Sequence, residues 1–460
     1  MERKAFSTLD LGPRWLETLE RLDYETMTAI QAASLPAMLA GEDVIGEAPT
    51  GTGKTVAFGL GLLSDLEPGG RLAQALVLCP TRELAAQVTD ELRNLAWALP
   101  NTKILTICGG YDFYDQKRSL NHGVDVVVGT PGRVLDHLKK ETLVLSGVTT
   151  LVFDEADRML DMGFVDDVSK IASATPEYRQ TLLFSATVTD EVRQLSERFQ
   201  SDVHHIEVEA KAARPDIDQY VYELGSMDRF QACHRALATH RPASAVIFCN
   251  QRDTCDDLAN RLRHQGYSVM SLHGGLDQRE RDSRMLRFEH GSIRLLVATN
   301  VAARGLDVDA LEGVINYELP RESKTFTHRV GRTARAGEGG WAVSLVDDRD
   351  KWRLKELEGH LGEVEPKDAS VLTVPKGYVP PKAATKTVAI RGGRKDKLRA
   401  GDIVGALTGE LGVANDAIGL ITIDDRRAYV ALDREVADEA LRAIRKGQIK
   451  GRSFDAYMVG

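Results

Sequence analysis

The feature that most limits how this chain can fold is an alternation of strand-like and helix-like segments with reactive residues at the joins. Candidate strands occupy 43–48, 75–80, 103–108, 125–129, 150–154 and 181–185. Between them run amphipathic stretches such as 82–99, where Leu84, Val88, Leu92 and Leu95 fall at helical spacing. That order specifies a parallel, doubly wound sheet. Such sheets bind ligands beyond the carboxyl ends of their strands. After a polar segment near 209–218 the pattern returns, at 245–249, 268–272, 295–299, 313–317 and 342–346. The expected fold class is therefore α/β, with two parallel-sheet domains in tandem over 1–208 and 215–365.

A proline-bearing stretch, 366–385, reads as a linker. Beyond it, 386–460 gives β-α-β-β-α-β, with strands at 387–390, 419–423, 428–432 and 454–458 and helices near 400–408 and 434–446. This is the split βαβ order, which RNA-recognition domains use. An RRM-like α+β domain is expected there. The chain's net charge of −9 argues against nucleic acid, but its distribution matters more than its sum. Residues 386–460 carry 14 Lys/Arg against 11 Asp/Glu, about +3, which leaves about −12 for the rest.

No apolar run is long enough to span a membrane. The opening Met-Glu-Arg-Lys-Ala-Phe lacks the apolar stretch of a secretory signal. Cys79, Cys108, Cys233, Cys249 and Cys255 form no CxxC pair and are expected as reduced thiols, mostly in strands. A cytoplasmic monomer is the expectation.

Two segments carry the chemistry. After the first strand comes Ala48-Pro-Thr-Gly-Thr-Gly-Lys-Thr55, with Ala48 where a first glycine is usual. Its backbone N–H groups, at Thr50, Gly51, Thr52 and Gly53 above all, can wrap phosphate oxygens; Lys54 adds charge, and the Thr55 hydroxyl can ligate Mg²⁺. About a hundred residues on, an apolar run ends in Asp154 and Glu155. Asp154 can hold the same metal, largely through water, and Glu155 can polarise an attacking water. Alone, the acidic pair could simply complement a helix dipole. That reading does not explain the phosphate-type loop in the same chain, in the right order, after its own strand.

With these residues on the page, the chain resembles the DEAD-box RNA helicases over about residues 6–360. Asp154-Glu-Ala-Asp157 spells the family's name motif. Phe6 and Thr28-Ala-Ile-Gln31 resemble its Q motif, with Asp23-Tyr24 in place of the usual Gly-Phe. The resemblance implies that Gln31 reads the adenine edge while Phe6 packs on the base. Ser185-Ala-Thr187 matches the motif coupling the nucleotide pocket to RNA. Pro80-Thr-Arg-Glu-Leu84, Gly109-Gly110 and Thr130-Pro-Gly-Arg133 look like RNA-backbone contacts, implicating Arg82, Gly110, Thr130 and Arg133. Taken singly, each also reads as an ordinary helix start or turn.

In the second domain, His273-Gly274 and Gln278-Arg-Glu-Arg281 resemble family elements at the RNA face and domain interface. The run 298–307 resembles motif V, with Asn300 for the commoner Asp. It implies Arg304 on RNA phosphate, with Gly305 and Asp307 near the nucleotide ribose. The run 328–335 resembles motif VI, with Ala334 for the usual Gly, and implies Arg332 and Arg335 as arginine fingers. The tandem domains are then RecA-like, ATP and Mg²⁺ are the cofactors, and RNA is the partner.

With Arg391-Gly-Gly-Arg-Lys-Asp-Lys-Leu-Arg399 and Lys446-Gly-Gln-Ile-Lys-Gly-Arg452, the tail resembles the RNA-binding domain of DbpA-type bacterial helicases. That resemblance implies a 23S ribosomal RNA hairpin in the peptidyl-transferase region as target, pre-50S particles as partners, and a role in ribosome biogenesis. Tyr429 is the only aromatic of the tail's third strand. Basic loops, not bases stacked on the sheet, are therefore the expected contacts: Arg391, Arg394, Lys395, Lys397, Lys450 and Arg452. A solvated basic surface is the plainer reading of those runs. An ATP-gated RNA clamp with little strand separation is the alternative to a helicase.

Overall fold

A computed structural model describes residues 4–49, 51–208, 217–300, 311–333, 339–361, 364–410 and 412–460. The chain forms two compact units, Met1–Arg214 and Pro215–Gly460. Thr50, Arg304, Gly305, Asp307 and Arg335 lie outside the described residues.

Among the described residues the first unit holds seven strands: β1 (Val44–Glu47), β2 (Ala75–Leu78), β3 (Ile104–Ile107), β4 (Val126–Gly129), β5 (Thr150–Asp154), β6 (Gln180–Ser185) and β7 (His204–Glu207). Their order is β3-β4-β2-β5-β6-β1-β7, and every pairing is parallel. β2, β4 and β5 are buried along their whole length. That is why they read as continuous apolar runs and not as alternating ones. Two apolar clusters hold the unit, one containing Phe58, Leu60 and Phe184, the other Leu76, Phe153 and Leu183. Because all strands run the same way, the loops after β1 to β6 share one edge of the sheet.

The second unit begins with another seven-stranded parallel sheet: β8 (Ile217–Glu223), β9 (Ala245–Cys249), β10 (Val269–Leu272), β11 (Leu295–Thr299), β12 (Gly313–Asn316), β13 (Gly340–Val346) and β14 (Lys367–Asp368). The order is β10-β11-β9-β12-β13-β8-β14. β14 comes from the segment expected to be a linker. That segment also buries Ala369 and Leu372 in the core of this domain, and Arg235 donates to the Leu372 carbonyl at 3.1 Å. It is tied down by apolar anchors that its proline content concealed.

The same unit ends in a four-stranded antiparallel sheet: β15 (Thr385–Ile390), β16 (Ile418–Ile423), β17 (Ala428–Asp433) and β18 (Ala456–Met458), ordered β16-β17-β15-β18. Val388, Ile390, Val430 and Leu432 pack with Ile403, Leu441 and Ile444 of its helices Ala400–Gly405 and Ala437–Lys446. All five cysteines are free and buried. Only Cys249 lies in a strand; Cys79 and Cys108 directly follow strands, while Cys233 and Cys255 sit on helices.

Candidate functional site: a nucleotide cradle and RNA-facing loops

The loop after β1 enters the helix Lys54–Ser64 through Gly53, whose backbone is left-handed at φ 87°. A side chain there would also collide, since its Cβ would lie 2.5 Å from Gln31 Nε2. Gly51 is left-handed as well. Lys54 is buried and donates to the Ala48 carbonyl at 2.8 Å. An ammonium has three donors, so it can hold this loop and still reach an anion. Thr52 Oγ1 donates to the Pro49 carbonyl at 2.7 Å and tightens the turn. Ala48 N donates to the Ser185 carbonyl at 3.0 Å, fixing the loop to the end of β6.

Gln31 lies against this loop. Its Nε2 donates to the Gly53 carbonyl at 3.1 Å, and its Oε1 accepts from Thr28 N at 2.8 Å. Thr28 caps the helix Ala29–Leu39 in return. One N–H and one lone pair of the amide remain for a base edge. Phe6 is 3% exposed and belongs to the core cluster with Met27 and Ile30. Its ring is almost wholly covered by protein in this structure.

β5 ends in Asp154, and the next residue turns sharply. Glu155 is left-handed at φ 51°, ψ 53° and starts the helix Ala156–Asp161. Non-glycine residues rarely sit there, and the strain costs about 1 kcal/mol or more. It is retained where it aims a side chain. Arg158 forms an ion pair with Glu155, both being largely buried, and so orients the carboxylate. Burial, then the Glu155 charge, pushes the Asp154 carboxyl up to about 7, against the pull of Lys54. Two adjacent buried carboxylates beside one lysine suit a hard divalent cation. Among the described residues no cluster of three His, Cys, Asp or Glu could cage an ion alone.

Asp157 was not among the residues singled out, yet it is the hub of this edge. Its Oδ2 accepts from Thr187 N at 3.1 Å and from Thr187 Oγ1 at 2.9 Å. Ser185 Oγ donates to the Thr187 carbonyl at 2.8 Å and accepts from Asp157 N at 3.3 Å. The acidic motif and the Ser-Ala-Thr motif are thus one hydrogen-bonded unit. The signal was present in the sequence, as the fourth residue of the motif.

The remaining first-domain motifs line the same sheet edge. Thr81 Oγ1 caps the helix Arg82–Leu95 by accepting from Leu84 N at 3.2 Å. The Arg82 guanidinium overlies Gly109, where a Cβ would lie 3.1 Å from it. Gly110 is left-handed, and Thr130 precedes the helix Pro131–Lys139. Arg133 is mostly buried and donates to the Tyr111 carbonyl at 3.1 Å and Gln116 Oε1 at 2.9 Å. It braces two helices in addition to whatever its remaining donors hold.

In the second unit, Arg332 is 8% exposed, just after the helix Ser323–Val330. Arg329, not singled out within the 328–335 run, is a buried guanidinium with four hydrogen bonds. It donates to Asn300 Oδ1 at 2.6 Å, Asn250 Oδ1 at 2.8 Å, Asn316 Oδ1 at 3.2 Å and the Glu318 carbonyl at 2.6 Å. Asn300 is therefore an acceptor for a buried arginine. Burial lowers the Arg329 pKa to about 10.

In the C-terminal domain, Arg394 N and Lys395 N donate to the Asp424 and Asp425 carbonyls at 2.8 and 2.9 Å. Gly393 permits this approach, because a Cβ there would lie 2.3 Å from the Asp424 oxygen. Lys450 Nζ donates to the Lys397 carbonyl at 3.3 Å, so the two basic runs meet. Arg391 and Lys395 also pair with Asp455 and Asp425 at 3.3 and 3.0 Å. Tyr429 and Tyr457 both register opposite Ala389, on the face away from the helices. That face carries a second ring that strand-by-strand reading overlooked.

Comparison with known proteins agrees with this layout. The DEAD/DEAH box helicase family matches residues 28–195, the helicase conserved C-terminal domain 228–337, and the DbpA RNA binding domain 387–457. The chain is 47% identical over 455 residues to the ATP-dependent RNA helicase DbpA of Escherichia coli K12, covering 98% of each. It is 40% identical to the DEAD-box ATP-dependent RNA helicase CshA of Bacillus subtilis 168, over 77% of this chain and 72% of that one. Among solved structures, Dbp5 of S. cerevisiae bound to RNA and ADP BeF3 superposes with a TM-score of 0.72 at 30% identity, over 80% of this chain and 96% of that one. The chain belongs to the DEAD-box ATP-dependent RNA helicases of the DbpA type, and is an RNA-dependent ATPase and helicase.

Proposed function

We propose that this helicase remodels 23S ribosomal RNA during assembly of the large ribosomal subunit, recruited by its C-terminal domain to a hairpin of the peptidyl-transferase region. The observation that carries the reading is the exposed basic surface of that domain. Its two basic runs meet at Lys397 and Lys450, and the first is hydrogen-bonded through Arg394 N and Lys395 N to the 424–427 hairpin, an approach that Gly393 permits. The helicase motifs, by contrast, face backbone phosphate, which positions RNA without specifying its sequence. Target choice then falls to the appended domain.

In the first domain, Lys54 and the N–H groups of the glycine loop hold the nucleotide phosphates. Thr55 and Asp154 would hold Mg²⁺, which would supply positive charge beside those phosphates. ATP, when bound, supplies the phosphoanhydride whose cleavage resets the enzyme. Glu155, aimed by its turn and by Arg158, takes the proton of the attacking water. The Asp157–Thr187 bonds pass the state of that edge to the Ser185–Thr187 segment.

The direct test is competition binding. A labelled 23S fragment containing the hairpin should be displaced by the same unlabelled fragment far more readily than by a fragment lacking it. Equal displacement by both would defeat the proposal and leave a helicase of another target.

A further inference from the structure

The C-terminal domain does not hang from a tether. The helix Gln278–Glu289 of the second helicase domain ends at His290, and Gly291, left-handed at φ 66°, turns the chain back. That turn is seated on the sheet of the C-terminal domain, on the face away from its own helices. Ser292 Oγ and Thr387 Oγ1 are hydrogen-bonded to each other. His290 Nε2 meets Thr422 Oγ1 at 2.9 Å, and Thr385 Oγ1 donates to the His290 carbonyl. Arg287 donates to the Gly460 carbonyl at 2.8 Å. Thr387 is 1% exposed, His290 3% and Ser292 9%. Burial keeps His290 uncharged, its pKa lowered to about 4. The connecting segment is pinned too, with Leu372 and Ala383 buried and Arg434 donating to the Ala383 carbonyl.

Buried hydroxyl and imidazole pairs contribute little net stability, but they tolerate no sliding, since a displaced partner leaves a desolvated polar group unpaired. A joint built from them selects one orientation. We propose that His290, Ser292, Thr387 and Thr422 form a fixed joint. Through it the C-terminal domain acts as a gauge, setting how far from its bound RNA element the second helicase domain engages a duplex. The other end of the joint's helix is Gln278-Arg-Glu-Arg281, one of the family-like motifs, so the gauge is attached to a part of the helicase domain itself. Ser292, Thr387, Thr422 and His290 are thus positioning residues for substrate choice. The idea rests on the reading that the C-terminal domain holds RNA, and its geometric half can be tested without that reading.

Three forms of the full chain decide it. Dyes placed through Arg263→Cys and Glu439→Cys, both exposed sites on the two domains, report the interdomain distance by single-molecule energy transfer. The second form is Ser292→Arg, which forces a charged side chain into the joint. The third is Ser292→Cys with Thr387→Cys, whose oxidation locks the joint shut. Each is assayed for strand displacement on RNAs in which single-stranded spacers of increasing length separate the 23S hairpin from a short duplex. The expected result is one narrow distance in the parent, unchanged by RNA with a non-hydrolysable ATP analogue, and parent-like displacement in the oxidised double mutant. Ser292→Arg should broaden the distance. It should also flatten the spacer preference about tenfold or more, as loss of a fixed effective concentration requires, while keeping ATPase stimulation by generic RNA. A broad distance in the parent, loss of displacement on oxidation that reduction restores, or an unchanged spacer profile in Ser292→Arg would each overturn the joint. Absence of hairpin preference in the parent, with the narrow distance intact, would instead count against the 23S reading alone.

Discussion

Glu155 and Arg329 show how much single side chains carry in this protein. Glu155 occupies a strained turn that only a positional need explains, with Arg158 beside it. Replacing it by Gln keeps shape and polarity but removes the proton acceptor. Turnover of Glu155→Gln should fall by roughly 10²–10⁴-fold, the usual contribution of a general base, with nucleotide affinity little changed. Single-turnover hydrolysis beside equilibrium binding of a fluorescent ATP analogue measures both. Arg329 binds three asparagine oxygens and one carbonyl in a buried place. Arg329→Met would leave those acceptors unpaired and should cost on the order of 3 kcal/mol or more in urea unfolding. Arg329→Lys should recover little of it, since an ammonium lacks the planar fork.

At the scale of elements, the helices Phe113–Asn121 and Pro131–Lys139 are joined through His137. Its ring stacks on Phe113 at 4.2 Å, its Nε2 meets Gln116 Oε1 at 3.0 Å, and its Nδ1 meets Thr142 Oγ1 at 2.8 Å. Burial, then the Arg133 charge, lowers its pKa from 6.5 to about 4. The unfolded chain therefore takes up this proton first as pH falls. The histidine's contribution is fully present above about 6.5 and is lost as pH drops toward 4. His137→Gln should remove that part of the slope, worth about 1–3 kcal/mol between those pH values. Stability of both proteins measured at pH 7 and pH 4.5 gives the answer; parallel slopes would show that His137 does not titrate as described. On the C-terminal domain, Gly393→Val should separate the basic loop from the 424–427 hairpin, because the carbonyl it faces is backbone and cannot swing aside. It should weaken hairpin RNA binding about tenfold, while basal ATP binding stays unchanged.

Elements were legible where burial is two-sided. Strands such as Thr150–Asp154 and Leu295–Thr299 announce themselves because both faces are apolar. The strands passed over are β7 and β14 at the sheet margins and β8, whose Ile217–Glu223 run mixes polar and apolar residues and is only partly buried, so that it read as the end of a polar segment although it pairs with β13 and β14. His204-His-Ile-Glu207 is almost wholly exposed, and Lys367–Asp368 is two charged residues held by backbone pairing alone. Neither has a periodic signal to read. The segment 366–385 misled for a related reason, its few buried anchors being scattered among prolines and lysines. At the site, the loop and the acidic pair were readable from spacing. The roles of Asp157, Arg329 and Asn300 were not, because each depends on a partner far along the chain: Thr187 is 30 residues from Asp157, and Asn250 is 79 from Arg329.

For the molecule as a whole, the account divides labour. Two parallel-sheet domains carry motifs suited to ATP and to RNA backbone, and in the proposed function an antiparallel domain with a basic rim chooses the RNA. The most direct measurement of that claim is steady-state ATPase of the full chain, stimulated by 23S fragments with and without the peptidyl-transferase hairpin. It should be run on the parent and on a variant carrying Arg394→Glu, Lys395→Glu and Lys397→Glu. The account predicts that the parent is stimulated at far lower concentrations of the hairpin-containing RNA. The variant should need about 10²-fold more of it, with a shallower salt dependence, yet respond to generic RNA as the parent does. Equal stimulation of the parent by both fragments, or a hairpin preference that survives the charge reversal, would contradict it.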